Sequence, residues 1–264
     1  MQIDLKNNRA IVTGSTAGIG FAIAHGLAAA GAAVTINGRS QQSVDAAKQR
    51  LLEQVPQAQI DGVAADIATA AGAATFLQRV PDAEILVNNI GIFEPKPFEA
   101  ITDEDWQRYF DTNVMSGIRL SRHYLPRMMK RGWGRIVFIS SESGVNIPPE
   151  MVHYGMTKTA QLAISRGMAE AAAGSGVTVN AVLPGPTRSE GVADFFAKLA
   201  KEQGMSESEM EKQFIAKNRP TSLIQRLASV DEVANMVVYV CSPQASATTG
   251  AALRVDGGVV RSIV

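Results

Sequence analysis

Tyr154 and Lys158 lie four residues apart in Tyr154–Ala173, an Ala-rich stretch of helical length. At that spacing two side chains share one helix face. A free phenol has a pKa of about 10 and is a poor proton carrier at neutral pH. A lysine ammonium beside it favours the charged form and brings the phenol toward working range. The pair is therefore a candidate acid–base, although a packed aromatic with an exposed hydroxyl is the plainer reading of a lone tyrosine. Ser140, Ser141 and Ser143 follow the apolar run Arg135–Ile139 a few residues earlier. Alternation along an extended chain puts Ser140 and Ser141 on opposite faces.

A second chemical feature is Thr13-Gly14-Ser15-Thr16-Ala17-Gly18-Ile19-Gly20, spaced TGxxxGxG between a strand-like run and a helix-like one. Glycines allow a tight turn and let a phosphate approach the backbone N–H groups at a helix N-terminus. The next strand ends Val34-Thr35-Ile36-Asn37-Gly38-Arg39. A carboxylate near this point would accept from an adenosine ribose 2′-hydroxyl, and none is present. Arg39 instead offers a fork for a 2′-phosphate, so NADP is favoured over NAD, which stays open as the alternative. Against this, Arg39 also reads as an ordinary exposed arginine, and Ala17 adds no second basic group. The chain from Ser15 to Gly38 carries no formal charge, but its five glycines and His25 suit a loop, a helix and a strand better than a membrane span.

The elements that must position these residues alternate along the chain. Strands are predicted at Ala10–Thr13, Ala33–Asn37, Gln59–Ala64, Ile85–Asn88, Arg135–Ile139, Thr178–Leu183 and Ala252–Val255. Helices are predicted near Ile19–Ala30, Gln41–Gln54, Ala68–Arg79, Asp103–Lys130, Tyr154–Ala173 and Val230–Cys241. This order predicts an α/β fold: a single-domain, Rossmann-type, doubly wound parallel sheet of about seven strands with helices on both faces. Continuous runs such as Ile136-Val137-Phe138-Ile139 suit strands buried on both sides. One domain is expected over residues 1–264. Pro184 to Arg226 breaks the pattern with a charged helical stretch, Lys198 to Lys217. It reads either as solvated surface helices or as a substrate lid beyond a strand's C-terminal end.

Composition excludes several classes. The 25 Lys+Arg balance 25 Asp+Glu, against a nucleic-acid partner. At 46% apolar and 19% charged the chain is not disordered. Cys241 is the single cysteine and has no disulfide partner. His25, His123 and His153 are scattered without ligand spacing, so no metal site is expected. With no apolar signal segment at Met1–Lys6, the expectation is a soluble, cytoplasmic protein without membrane attachment.

Thr13 to Gly20, Asp66-Ile67, Asn88-Asn89-Ile90-Gly91, Asn113, Ser141, Tyr154-x-x-x-Lys158, Pro184-Gly185 and Arg254-Val255-Asp256-Gly257-Gly258 occur in that order. In this ordered set the whole chain resembles the short-chain dehydrogenase/reductase family, in its subgroup of roughly 250 residues. Ile90 departs from it, since the family usually has alanine there. The resemblance implies hydride transfer between a nicotinamide and a carbonyl or secondary alcohol, and the apolar run Ile147-Pro148-Pro149 with Met151 and Val152 points to a small, partly apolar substrate. It makes Tyr154 the general acid–base. Lys158 lowers its pKa and holds the nicotinamide ribose, and Ser141 orients the substrate oxygen. Asn113 supports a water-linked proton path to Lys158. For cofactor binding it implies Gly14, Ser15, Thr16, Gly18, Ile19 and Gly20 in the loop, together with Arg39. Asp66 and Ile67 would line the adenine pocket. Asn89 and Gly91 would lie beside the cofactor, as would Pro184, Gly185 and Thr187, although Thr187 also reads as a turn residue.

Glu142 and Asn146 are candidate substrate contacts or simply solvated loop positions. A homotetramer or homodimer is expected, and Ala160, Ala163, Gly167, Ala171 and Gly174 can serve either that packing or the domain's own sheet. The alternatives are a non-catalytic dinucleotide-binding regulator or structural subunit, and an epimerase or dehydratase on the same fold.

Overall fold

Among the described residues nine strands form: β1 (Arg9–Val12), β2 (Ala33–Gly38), β3 (Ile60–Ala64), β4 (Ile85–Asn88), β5 (Gly134–Ile139), β6 (Val177–Pro184), β7 (Thr187–Arg188), β8 (Ala228–Ser229) and β9 (Ala252–Val255). This computed structural model describes residues 2–263, and the side chains of residues 195, 198, 199 and 202 lie outside the description. Seven strands make one parallel sheet in the order β3-β2-β1-β4-β5-β6-β9, and β7 pairs with β8 apart from it. Each of the seven matches a predicted strand to within one residue at either end. β5 and β6 are buried along their whole length, which suits the apolar run Ile136–Ile139 of β5, while the buried Thr178 and Asn180 interrupt the apolar sequence of β6.

The chain winds outward from β1 through β2 to β3, then returns to β4 at the other side of β1 and continues the opposite way. That reversal opens a crevice beyond the carboxyl ends of β1 and β4, the usual ligand position in open α/β sheets. Helices α1 (Gly18–Ala29), α2 (Gln41–Gln54) and α9 (Val230–Val240) cover one face, burying Ile23, Leu27, Val44 and Val237. Helices α3 (Ala70–Arg79), α5 (Ser116–Arg131) and α6 (Val152–Ala171) cover the other, burying Phe76, Leu120 and Tyr124.

Two regions differ from expectation. The helix predicted at Asp103–Lys130 is two helices, α4 (Asp103–Phe110) and α5, joined by a π-turn over Asp111–Met115. Its amphipathic pattern continues across the turn, so periodicity alone does not reveal the extra residue. The segment after β6 carries α7 (Glu190–Gln203) and α8 (Glu207–Asn218), which are not merely two solvated helices. They form a hairpin with its own small core of Phe196, Ala200, Met210, Ile215 and Leu227. The charged stretch Lys198 to Lys217 spans this hairpin, with the side chain of Lys198 among those outside the description.

Ala163, Gly167, Ala171 and Gly174 are exposed, and a Cβ added at Gly167 or Gly174 would meet nothing within 4 Å. These four small residues therefore face away from the sheet. Among the described residues no helix is long and apolar enough to cross a membrane, and no His/Cys/Asp/Glu cluster could hold a metal ion.

Candidate active site

The glycine loop leaves β1 and bends through Gly14 and Gly18, both at φ +58°, a conformation that glycine adopts without a Cβ penalty. α1 then begins with no side-chain cap and no acidic residue in its first turn. Its leading N–H groups and positive dipole end are left for an external anion. Gly20 is required by crowding: a Cβ there would sit 2.4 Å from both Asn89 Nδ2 and the Gly14 carbonyl. Asn89 Nδ2 donates to the carbonyls of Thr13 and Gly14 at 2.9 Å each, locking β4's end to the loop. Gly20→Ala should overpack this joint and cost about 1–3 kcal/mol, read as a lower urea midpoint with an unchanged slope.

Ser15 serves the loop itself. Its hydroxyl donates to Val12 O at 2.6 Å and accepts from Asn37 N, while its own N–H donates to Asn37 O. Asn37, which sequence reasoning passed over, is fully buried and donates to the carbonyls of Val63 and Ala65, so it joins β2 to β3 beneath the loop. A polar residue inside the buried run Val34–Asn37 was the available signal.

Beyond Asn37, Gly38 is pressed against the loop: a Cβ there would lie 2.6 Å from Thr16 Cγ2. Arg39 is exposed and makes no ion pair among the described residues. At the end of β3 Asp66 is exposed, whereas Ile67 is buried in the core. Ile19 and Ile90 are partly buried, and a Cβ at Gly14 would touch Ile90 Cγ1 at 3.1 Å.

On the other side of the crevice, Asn113 sits buried in the π-turn. Its Oδ1 accepts from Ile92 N at 2.8 Å, and its Nδ2 donates to Ile92 O and Thr157 Oγ1. Its carbonyl accepts from Gln161 Nε2 at 2.6 Å. Asn113 thus ties the β4 loop to α6, the helix that carries Tyr154 and Lys158. Gly91 lies over both groups: a Cβ there would be 3.4 Å from Lys158 Nζ and 3.6 Å from Asn113 Oδ1.

Lys158 is buried, its Nζ donating to Ile139 O at 2.8 Å and lying 5.5 Å from the centre of the Tyr154 ring. Burial pushes its pKa down to about 7. Tyr154 is half-buried. Desolvation lifts its pKa above the ordinary phenol value, against a hydrogen bond with the Ser141 side chain. In the protein alone, burial outweighs the expected lowering by Lys158. Phe93 meets the Tyr154 ring edge-on at 6.2 Å.

The serines divide by face. Ser140 Oγ donates to Lys158 O, while Ser141 caps the short turn after β5, accepting from Ser143 N. Glu142 is not a solvated loop residue. It is 3% exposed, accepts from the hydroxyls of Ser141 and Ser143, and pairs with Arg219 at 2.7 Å. Asn146 is exposed. His153 is buried with its ring 4.1 Å from that of Tyr109, which makes it a core residue at the start of α6.

After β6, Gly185 packs against the backbone of Asp256, and Thr187 Oγ1 donates back to Gly185 O at 2.9 Å, a local turn bond. A Cβ at Gly18 would lie 3.3 Å from Ser189 Cβ, so the start of the α7–α8 segment stands over the glycine loop.

The enoyl-(acyl carrier protein) reductase family model matches residues 14–260. The uncharacterized oxidoreductase YvrD of Bacillus subtilis is 47% identical over 267 residues, covering all of both chains. Dehydrogenase/reductase SDR family member 4 of Homo sapiens is 32% identical across 96% of this chain and 88% of its own. The crystal structure of L-sorbose reductase from Gluconobacter frateurii, complexed with NADPH and L-sorbose, superposes with a TM-score of 0.94 at 30% identity, covering both chains fully. By these whole-chain likenesses the chain is an oxidoreductase of the short-chain dehydrogenase/reductase family.

Proposed function

We propose that the protein is an NADP(H)-preferring oxidoreductase acting on a carbonyl or secondary alcohol of a small, partly apolar substrate. The observation that carries this reading is the meeting of Ser141 and Tyr154 above the buried Lys158, across from an uncapped helix N-terminus. A dinucleotide fits these residues: the left-handed Gly14 and Gly18 and the open α1 terminus suit its pyrophosphate, and the exposed Arg39 suits a 2′-phosphate. The NADPH held by the L-sorbose reductase supports that assignment. Ser15 contributes by shaping the loop, Thr16 and Ile19 by lining it. Asp66 flanks the adenine end, with Ile67 supporting it from the core. Gly91, Pro184, Gly185 and Thr187 flank the nicotinamide end.

The cofactor, when bound, supplies the hydride, and its oxidised form brings positive charge to the site. Tyr154 gives its phenolic proton to the carbonyl oxygen in reduction and takes the proton of the alcohol in oxidation. The Ser141 hydroxyl hydrogen-bonds that oxygen as charge develops. As the phenolate forms in reduction, Lys158 takes up a proton from solvent, and the resulting ammonium and the phenolate stabilise each other. Asn113 holds the Gly91 loop against α6 on the path to Lys158. The exposed Phe93, Val145, Ile147 and Leu223 give the surroundings an apolar character. A non-catalytic regulator would not need the acid–base pair, and an epimerase or dehydratase would be expected to carry a larger substrate domain.

The deciding experiment is a panel of ketones and secondary alcohols assayed with NADPH and NADH. Turnover with NADPH on at least one substrate is expected, and none with either cofactor would refute the reading. Arg39→Ala should raise the NADPH KM about 10- to 100-fold and leave NADH and kcat nearly unchanged, as loss of a charge-assisted contact requires. Gly38→Asp is a poorer probe, because its Cβ would also displace Thr16. We place the protein in the cytoplasm as a homodimer or homotetramer, with the small exposed face of α6 as a contact, and light scattering would read the mass.

A further inference from the structure

Glu142 and Arg219 lie 77 residues apart in sequence, and neither belongs to the acid–base set. Glu142 follows Ser141 at the end of β5. Arg219 ends α8, in the hairpin segment beyond β6. Arg219 Nε donates to Glu142 Oε1 at 2.7 Å, with side chains 11% and 4% exposed. The other carboxylate oxygen, Oε2, accepts from Ser141 Oγ at 2.5 Å, Ser143 N at 2.6 Å and Ser143 Oγ at 2.8 Å. A buried carboxylate is tolerated only when paired and hydrogen-bonded, and every partner here is either Arg219 or a group of the serine turn.

We propose that Glu142 and Arg219 form a charge-compensated clamp that sets the direction of the Ser141 hydroxyl and fastens the α7–α8 segment to the reacting centre. This rests on the oxidoreductase reading above and adds two positioning residues to it. Ser141 has one proton. Directed at Glu142, it leaves the Ser141 oxygen to accept from Tyr154. Directed at the substrate oxygen, it stabilises developing charge there. The proton stays on Ser141 in both states, and only the rotor turns. Arg219 draws charge from Glu142, weakening its hold on that rotor enough for the substrate oxygen to compete. The clamp closes only when the end of α8 is seated, so docking of the segment and readiness of Ser141 are one event.

The two charges also act on the phenol. The groups facing Tyr154 are Glu142 from the turn after β5, Arg219 from the end of α8, Tyr109 from α4 and Lys158 from its own helix. Glu142 raises the Tyr154 pKa and Arg219 lowers it. Removing either charge breaks the same ion pair, so a merely structural pair predicts equal effects, whereas the clamp predicts opposite ones.

The test measures the pH profile of NADP-dependent oxidation of a secondary alcohol by wild type, Glu142→Gln and Arg219→Met. The rate rises as Tyr154 loses its proton. Arg219→Met should move that rise to higher pH and Glu142→Gln should move it to lower pH, since the two charges act on the phenol in opposite senses. Shifts of the same sign, or none, overturn the proposal. Glu142→Asp keeps the charge, and with it the fold, but withdraws the carboxylate from Ser141. It should lower kcat about tenfold without moving the profile, and an unchanged kcat also overturns the proposal. Hydrogen exchange needs no turnover: both charge-removing variants should speed exchange over residues 207–222, and unchanged exchange refutes the fastening. Absence of wild-type turnover would sink the oxidoreductase reading alone, while exchange would still decide the clamp.

Discussion

Tyr154→Phe lowers kcat about 10³-fold in both directions while the NADPH dissociation constant stays within about threefold of wild type. The magnitude is that of a general acid–base removed whole, with no group in reach to replace it. Lys158 cannot substitute, because its Nζ points to Ile139 O and its ammonium is suppressed by burial. Ser141 cannot either, since its hydroxyl is a hydrogen-bond donor held by Glu142 Oε2. Phenylalanine keeps the edge contact with Phe93 and the packing of α6, so the fold should lose only the hydroxyl's net contribution, about 1 kcal/mol. Single-turnover and steady-state rates, with cofactor titration by fluorescence, check both parts. Wild-type turnover in this variant on any ketone the native protein reduces would remove Tyr154 from the chemistry.

What could be read from the chain divides along a physical line. β5 was legible because a strand buried on both faces must be apolar throughout, and Ile136–Ile139 has no other reading. Tyr154 and Lys158 were legible because four-residue spacing fixes a shared helix face. The glycines at 14, 18 and 20 were legible because backbone conformation and close approach demand that residue. Features made by long-range partners were not. Glu142 looks like a loop acid until Arg219 arrives from the α7–α8 segment. That the Ser15 hydroxyl joins Val12 to Asn37 within the loop follows only once β2 is placed beside it. The π-turn at Asn113 interrupts a pattern that stays amphipathic through it. The Tyr154 pKa went the other way from expectation for a related reason: a lysine's pull follows from spacing, but desolvation depends on what the rest of the fold packs around the ring.

Lys158→Met is expected to stabilise the fold at pH 7 while sharply reducing turnover. Burial lowers the Lys158 pKa from 10.5 in a free chain to about 7 in the folded one. A base depressed in this way is protonated in the unfolded state and neutral in the folded state across that interval. The fold therefore loses stability as pH falls from 10.5 toward 7, with no further loss below, where both states bind the proton. At about 1.4 kcal/mol for each pH unit, the full interval is worth about 5 kcal/mol. Methionine has similar length and no charge to desolvate, but leaves Ile139 O without its donor, a loss of about 1–2 kcal/mol. The net gain at pH 7 should be about 3 kcal/mol, disappearing by pH 10, where wild-type lysine is neutral in the fold at little cost. Urea titrations of both proteins at pH 7 and pH 10 separate the two effects. A variant less stable than wild type at pH 7 would mean that the lysine is charged and compensated in the fold. Greater stability with lost turnover would identify Lys158 as a residue the fold carries at a cost because proton transfer at Tyr154 needs it.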